Sequence, residues 1–146
     1  KEEVIIINNT IGPSSESGVG MGLYVPDSEG NLTIKGNVFK SIIEMEGNGK
    51  ALIEGNTITE KMELRESIIV DLGGGKLGSS GNNGLQGSLI IEDLRASYSG
   101  TLYAKNNTWR DSSGQEIQPP EVLEGPVDTE HFYIENEGNK IIFSEE

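Results

Sequence analysis

The sequence contains no cysteine. No disulfide holds the fold, and thiolate chemistry, whether nucleophilic or metal-binding, is excluded. Long hydrophobic runs are also missing. Val4-Ile5-Ile6-Ile7 is among the longest, far short of the roughly 20 apolar residues that a membrane-spanning helix needs. Helix signals are nearly absent. Only Ser41 to Glu46 and Glu60 to Glu66 have helix-tolerant composition, and each is too short to form an independent helix. Positive charge is scarce, with 11 Lys and Arg against 24 Asp and Glu and a net charge of −13. Phosphate-backbone binding rests on Lys and Arg, so the reading is no nucleic acid and no membrane insertion. No leader peptide is legible, and a strand-like run follows closely on Lys1. That reads as a mature or excised segment of a larger polypeptide.

What is present is a short repeated unit. Ile5-Ile6-Ile7-Asn8-Asn9-Thr10-Ile11 is echoed by Thr33-Ile34-Lys35-Gly36-Asn37-Val38-Phe39 and by Leu52-Ile53-Glu54-Gly55-Asn56-Thr57-Ile58. It returns as Tyr103-Ala104-Lys105-Asn106-Asn107-Thr108-Trp109. β-favouring residues lead into Gly or Asn, then Asn, then a β-branched residue and a large apolar one. Strand portions of this kind suit a half-buried pleated surface. Gly and Asn tolerate the positive φ of a sharp bend, after which the large residue turns back inward. Asn9, Asn37, Asn56 and Asn107 are separated by 28, 19 and 51 residues. A coil of roughly 20–28 residues per turn accommodates the first two gaps, and the third holds two or more turns. Two further apolar runs, Ile68 to Leu72 and Leu89 to Leu94, lie between the units. Hairpin sandwiches do not repeat one strand-bend-strand unit, whereas stacked coils bury a common core under like residues. The expectation is an all-β parallel solenoid of five to six rungs, one domain over residues 1–146. Rungs occupy 1–110, and 111–146 form a C-terminal tail or cap.

Three stretches carry a family resemblance. Gly18 to Val25, followed by Leu32 to Phe39, resembles a generic rung of right-handed parallel β-helix proteins. Val70 to Asn83, with Gly73, Gly74, Gly75, Gly78 and Gly81, is similar to a glycine-rich element near the end of many such helices. Ala104 to Trp109 resembles their last rung, where an Asn-rich bend precedes a Trp. Over about residues 4–110 the chain thus resembles an uncharacterised branch of the pectate-lyase-like fold class. The resemblance implies an exported, extracellular or cell-surface protein. Some relatives in the wider class cleave or bind acidic polysaccharides.

Each candidate residue has a structural and a functional reading. Asn9, Asn37, Asn56 and Asn107 are read as a structural ladder of stacked amides. Asp71, Gly73, Gly74, Gly75, Gly78, Gly81 and Asn83 are read as a wide turn, since the segment lacks the Lys-Ser/Thr ending of a phosphate-binding loop. Tyr103 and Trp109 are candidate carbohydrate contacts, with Tyr98, Phe132 and Tyr133 available to extend a platform. The sole histidine, His131, has no Gly-x-Ser-x-Gly elbow beside it. Paired aspartates with a Gly-His-Gly loop, which the resemblance would supply for a hydrolase, are not found. Arg65, Arg95 and Arg110 could supply a lyase's base, but none sits in a recognisable motif. Asp71 and Asp93 lie in core-like runs without a visible cleft. From Glu121 to Glu146 there are eight acids and one Lys, read as solubilising charge. Ca²⁺ could be drawn there, although no loop has calcium-ligand spacing. No catalytic, cofactor or metal residue is assigned. The expected function is that of a non-catalytic extracellular module, either structural, as a stalk or cap, or binding, in contact with carbohydrate or another surface protein. The alternative is a fragment of a polysaccharide lyase or glycoside hydrolase.

Overall fold

A computed structural model describes residues 3–12, 21–60, 62–86, 89–92, 101–111, 113–118, 124–126, 131–135 and 140–143. The chain opens with β1 (Glu3–Ile7), β2 (Thr10–Ile11) and β3 (Met21–Ser28). The pattern recurs as β4 (Asn31–Lys35), β5 (Val38–Phe39) and β6 (Ile42–Gly47). It recurs again as β7 (Lys50–Glu54), β8 (Thr57–Ile58) and β9 (Met62–Leu64), and as β10 (Ile69–Asp71), β11 (Gly84–Leu85) and β12 (Leu89–Glu92). Then come β13 (Thr101–Tyr103), β14 (Thr108–Arg110), β15 (Glu116–Ile117), β16 (Glu124–Pro126), β17 (His131–Glu135) and β18 (Lys140–Phe143). Both segments with helix-tolerant composition contribute strands, β6 and β9, because their apolar residues complete a sheet begun elsewhere in the chain.

Three six-stranded sheets result. Sheet A runs β1-β4-β7-β10-β13-β16. Sheet B runs β2-β5-β8-β11-β14-β15, and sheet C runs β3-β6-β9-β12-β17-β18. Through β14 every described pairing is parallel, and neighbours in a sheet stand three strands apart in the chain. The protein is all-β with parallel sheets, an arrangement compatible with a β-helix. The last strands reverse direction: β15 pairs antiparallel with β14, β16 with β13, β17 with β12 and β18 with β17.

Register stacks like on like. In sheet A, Leu32, Ala51, Val70 and Leu102 are matched across neighbouring strands, and all are buried. Sheet B contributes the column Ile11, Phe39, Ile58, Leu85 and Trp109, and sheet C contributes Ile43 with Met62 and Met45 with Leu64. These columns form one hydrophobic core. Full burial of each large aliphatic side chain contributes about 1.5–3 kcal/mol. Two-residue strands suffice in sheet B because each inward residue is held above and below by its counterparts.

Candidate functional site

Between sheets A and B the chain bends sharply five times. The residue at the bend has a left-handed backbone in every case: Asn8 (φ 57°), Gly36 (64°), Gly55 (66°), Asn82 (59°) and Asn106 (61°). An Asn follows each one. Asn9 donates its backbone N–H to Asn37 Oδ1 at 2.8 Å and its Nδ2 to the same oxygen at 3.3 Å. Asn37 donates likewise to Asn56 Oδ1 (2.9 and 3.1 Å) and Asn56 to Asn83 Oδ1 (2.9 and 3.1 Å). Asn83 in turn donates to Asn107 Oδ1 (3.0 and 2.9 Å). The structure therefore brings Asn9, Asn37, Asn56 and Asn107 into one column with Asn83 as a fifth member. In sequence Asn83 belongs to the glycine-rich stretch, and the structure adds it to the column. Its signal was present in Asn82-Asn83-Gly84-Leu85, where Gly replaces the β-branched residue, and its steps of 27 and 24 residues divide the long gap.

The glycine-rich segment forms a loop on the outer side of sheet A. Asp71 organises it, accepting the backbone N–H of Gly73 and Gly75 on Oδ1 (3.0 Å each). Its Oδ2 accepts those of Leu77 at 3.0 Å and Ser79 at 3.3 Å. Four donors on one fully buried carboxylate leave it no free role in catalysis. Gly75 lies against Tyr103, and a Cβ there would fall 2.4 Å from the ring. Ser79 Oγ donates to Ile53 O, and Glu54 Oε2 accepts from Ser80 N at 2.7 Å. That backbone hydrogen bond, together with the Ser80 hydroxyl and nearby Lys35, holds the Glu54 carboxyl below its ordinary pKa.

Beside this loop is a depression of about 280 Å³ lined by Glu3, Asn31, Thr33, Lys50, Leu52 and Leu77. Leu52 and Leu77 give it apolar walls, and the others give it hydrogen-bonding groups of both charges. Ile5, matched in register to Thr33, continues the same face and is 57% exposed.

A second polar cluster lies on the outside of sheet C, where Tyr24, Glu44 and Glu63 share register. Arg65 Nη1 approaches Glu44 Oε1 at 2.6 Å and Glu46 Oε2 at 3.8 Å, and Nη2 approaches Glu63 Oε2 at 3.3 Å. Tyr24 donates to Glu46 Oε1 at 3.1 Å. Arg65 thus serves as the shared counter-ion of three carboxylates. Among the described residues no group of three or more His, Cys, Asp or Glu is arranged to hold a metal ion.

Tyr103 and Trp109, expected as candidate carbohydrate contacts, are buried at 7% and 2% exposure. Tyr103 lies beneath the Gly75 backbone, and Trp109 ends the sheet B core column. Neither ring offers a face to a sugar. Arg110 donates to Gly114 O within the turn after β14. There Asp111 accepts from the Ser113 hydroxyl and from the Ser113 and Gln115 backbones, bonds that lower its pKa. Asp93, Arg95, Tyr98 and residues 13–20, which include part of the generic rung, lie outside the described residues, as do the side chains of His131, Phe132 and Tyr133.

Parallel sheets stacked in register, bends closed by a column of asparagines and an aspartate-centred loop define a protein of the β-helix-associated class. Residues 2–116 match the family described as "Protein of unknown function (DUF1565)", and the chain belongs to that family. No curated protein and no solved structure matches it.

Proposed function

We propose that this chain is a right-handed parallel β-helix module of about five rungs, closed by its antiparallel tail. In this reading it is exported and works at the cell surface as a non-catalytic binding element within a larger polypeptide. Its binding face is the outside of sheet A, and its partner is another surface protein. The observation that carries the reading is the depression at Leu52 and Leu77, walled by a loop that four hydrogen bonds to Asp71 hold rigid. A preformed apolar floor with a mixed polar rim suits a protein segment. The carbohydrate reading is weaker, because Tyr103 and Trp109 are buried.

Binding of the labelled chain to intact cells of its source organism tests the proposal. Binding is expected to fall about tenfold with Leu77→Asp, the scale of a lost apolar anchor, and to vanish once the cells are treated with protease. Binding that survives protease but is lost after periodate oxidation would install carbohydrate as the partner.

The polysaccharide lyase or hydrolase reading draws on one observation, the Arg65 cluster. Its guanidinium donates to Glu44 and Glu63 as their shared counter-ion, an engagement that disfavours it as a base. Unsaturated products or new chain ends released from a panel of plant and bacterial polysaccharides would reverse this judgement.

A further inference from the structure

The chain holds two Asn-Gly steps, Asn48-Gly49 and Asn83-Gly84. A backbone nitrogen that follows Asn can attack the side-chain amide carbon, and glycine, without a Cβ, opposes that approach least. The fold treats the two steps in opposite ways. Asn83 is fully buried, its Nδ2 donates to Ile53 O, Leu72 O and Asn107 Oδ1, and its Oδ1 holds two donors from Asn56. The Gly84 N–H donates to Asn56 O at 2.8 Å. Neither group can move toward the other without breaking the column.

Asn48 stands at a different bend, between sheets C and A. The chain turns there through left-handed residues, at Gly47 (φ 113°) and again at Glu66 (59°). A polar residue follows each, and the two are neighbours: Ser67 N donates to Gly47 O at 3.1 Å and Ile69 N to Gly49 O at 3.0 Å. Asn48 is exposed, and its Oδ1 accepts the Ser67 hydroxyl. Among the described residues no acceptor engages the Gly49 N–H. A hydroxyl donated to an amide oxygen polarises the carbonyl and stabilises the oxyanion that forms when a nucleophile adds to it.

We propose that Asn48 is a self-modification site, at which the Gly49 nitrogen closes on the Asn48 side chain with Ser67 as the positioning residue. The Gly49 N–H gives its proton to solvent as the N–Cγ bond forms. The Cγ–Nδ2 bond then breaks, releasing ammonia and leaving a cyclic succinimide. Water opens the ring at either carbonyl. One product is aspartate, and the other is isoaspartate, whose main chain runs through the side-chain carbons and gains a methylene. Either adds a negative charge to a bend that already carries Glu46 and Glu66. The isoaspartyl form also lengthens the link between β6 and β7, and so loosens the bonds from Lys50 N to Gly30 O and from Ile69 N to Gly49 O. Loss of ammonia makes the step one-way, so it records the age of the folded chain.

The test incubates the whole chain in neutral buffer at physiological temperature and follows tryptic peptides 41–50 and 77–95 by mass spectrometry. Labelling with an isoaspartyl methyltransferase separates the two products. Conversion at Asn48 is expected to be at least about tenfold faster than at Asn83, the scale of one buried hydrogen bond that must break. In guanidinium the two rates should converge, since folding alone separates them. Ser67→Ala should slow conversion at Asn48 about fivefold or more, the scale of one lost hydrogen bond, and Ser67→Thr should restore it. Asn48→Gln should leave peptide 41–50 unmodified. In the isoaspartyl product, exchange protection at Lys50 and Ile69 should fall at least about tenfold. Freshly prepared Asn48→Asp, which adds the charge without the methylene, should retain that protection. Equal conversion at Asn48 and Asn83 in the folded chain, conversion undiminished by Ser67→Ala, or a fully protected bend in the isoaspartyl product would each overturn the proposal.

Discussion

Asn56 shows how much one side chain carries in this protein. Its Nδ2 donates to Ile34 O at 2.9 Å and Glu54 O at 3.1 Å as well as to Asn83, and its Oδ1 receives two donors from Asn37. All of this takes place at 1% exposure. Replacing Asn56 with Ala strands several buried groups on neighbouring strands, at about 1–3 kcal/mol for each group left unsatisfied. Asn56→Ala is expected to lower unfolding free energy in urea by about 3 kcal/mol or more, on that same scale. Asn9→Ala, at the solvated end, should cost less than about 1.5 kcal/mol because water replaces the lost partners. Equal losses at both positions would mean that burial does not set the column's energetics.

The glycine-rich loop depends on two carboxylates with different exposure. Asp71 collects four backbone donors out of contact with solvent. Asn in its place offers one acceptor oxygen and no charge, so Asp71→Asn should loosen residues 73–79 and speed tryptic cleavage after Lys76. Glu54 fastens the loop's return limb from the outside through Ser80. Its pKa is lowered chiefly by the Ser80 backbone N–H. A carboxyl depressed in the folded state contributes stability in full above its ordinary range, and that contribution is lost as pH falls through the lowered value. The exchange protection of the Ser80 amide should therefore decline on acidification below the ordinary Glu range. Glu54→Gln should flatten that decline, and an unchanged slope in the variant would assign it to another group.

Across the whole molecule the two ends differ. At one, β1 pairs in parallel with β4. At the other, antiparallel strands from the tail pair with β12, β13 and β14. Ending the chain after residue 110 removes β15 to β18 and uncovers the edges of all three sheets at that end. Uncovered parallel edges template further pairing. The shortened chain is expected to aggregate at concentrations where the full chain remains monodisperse by light scattering. A soluble, equally stable truncation would show that the tail does not protect this end.

The sequence by itself determined the strand-bend-strand unit, because Gly or Asn before Asn is the local chemistry of a left-handed bend and needs no partner to be recognised. It determined that Asn37 and Asn56 would sit alike, because their surrounding residues are alike. Local pattern carried only a partial sign that Asn83 joins the column, since Gly84 stands where the other units have a β-branched residue. The loop at 73–81 hides the spacing, and only the hydrogen bonds from Asn56 and to Asn107 show the alignment. Nor could it show that Tyr103 is covered, since the Gly75 backbone that covers it is 28 residues away in the chain. Composition marked 41–46 and 60–66 as tolerant of helix, and tertiary structure made strands of them. A strand's stability comes from the neighbours it pairs with, and here those neighbours are 19 to 21 residues distant in sequence. The tertiary structure likewise decided which surfaces remain to bind anything, because exposure depends on what the rest of the chain covers.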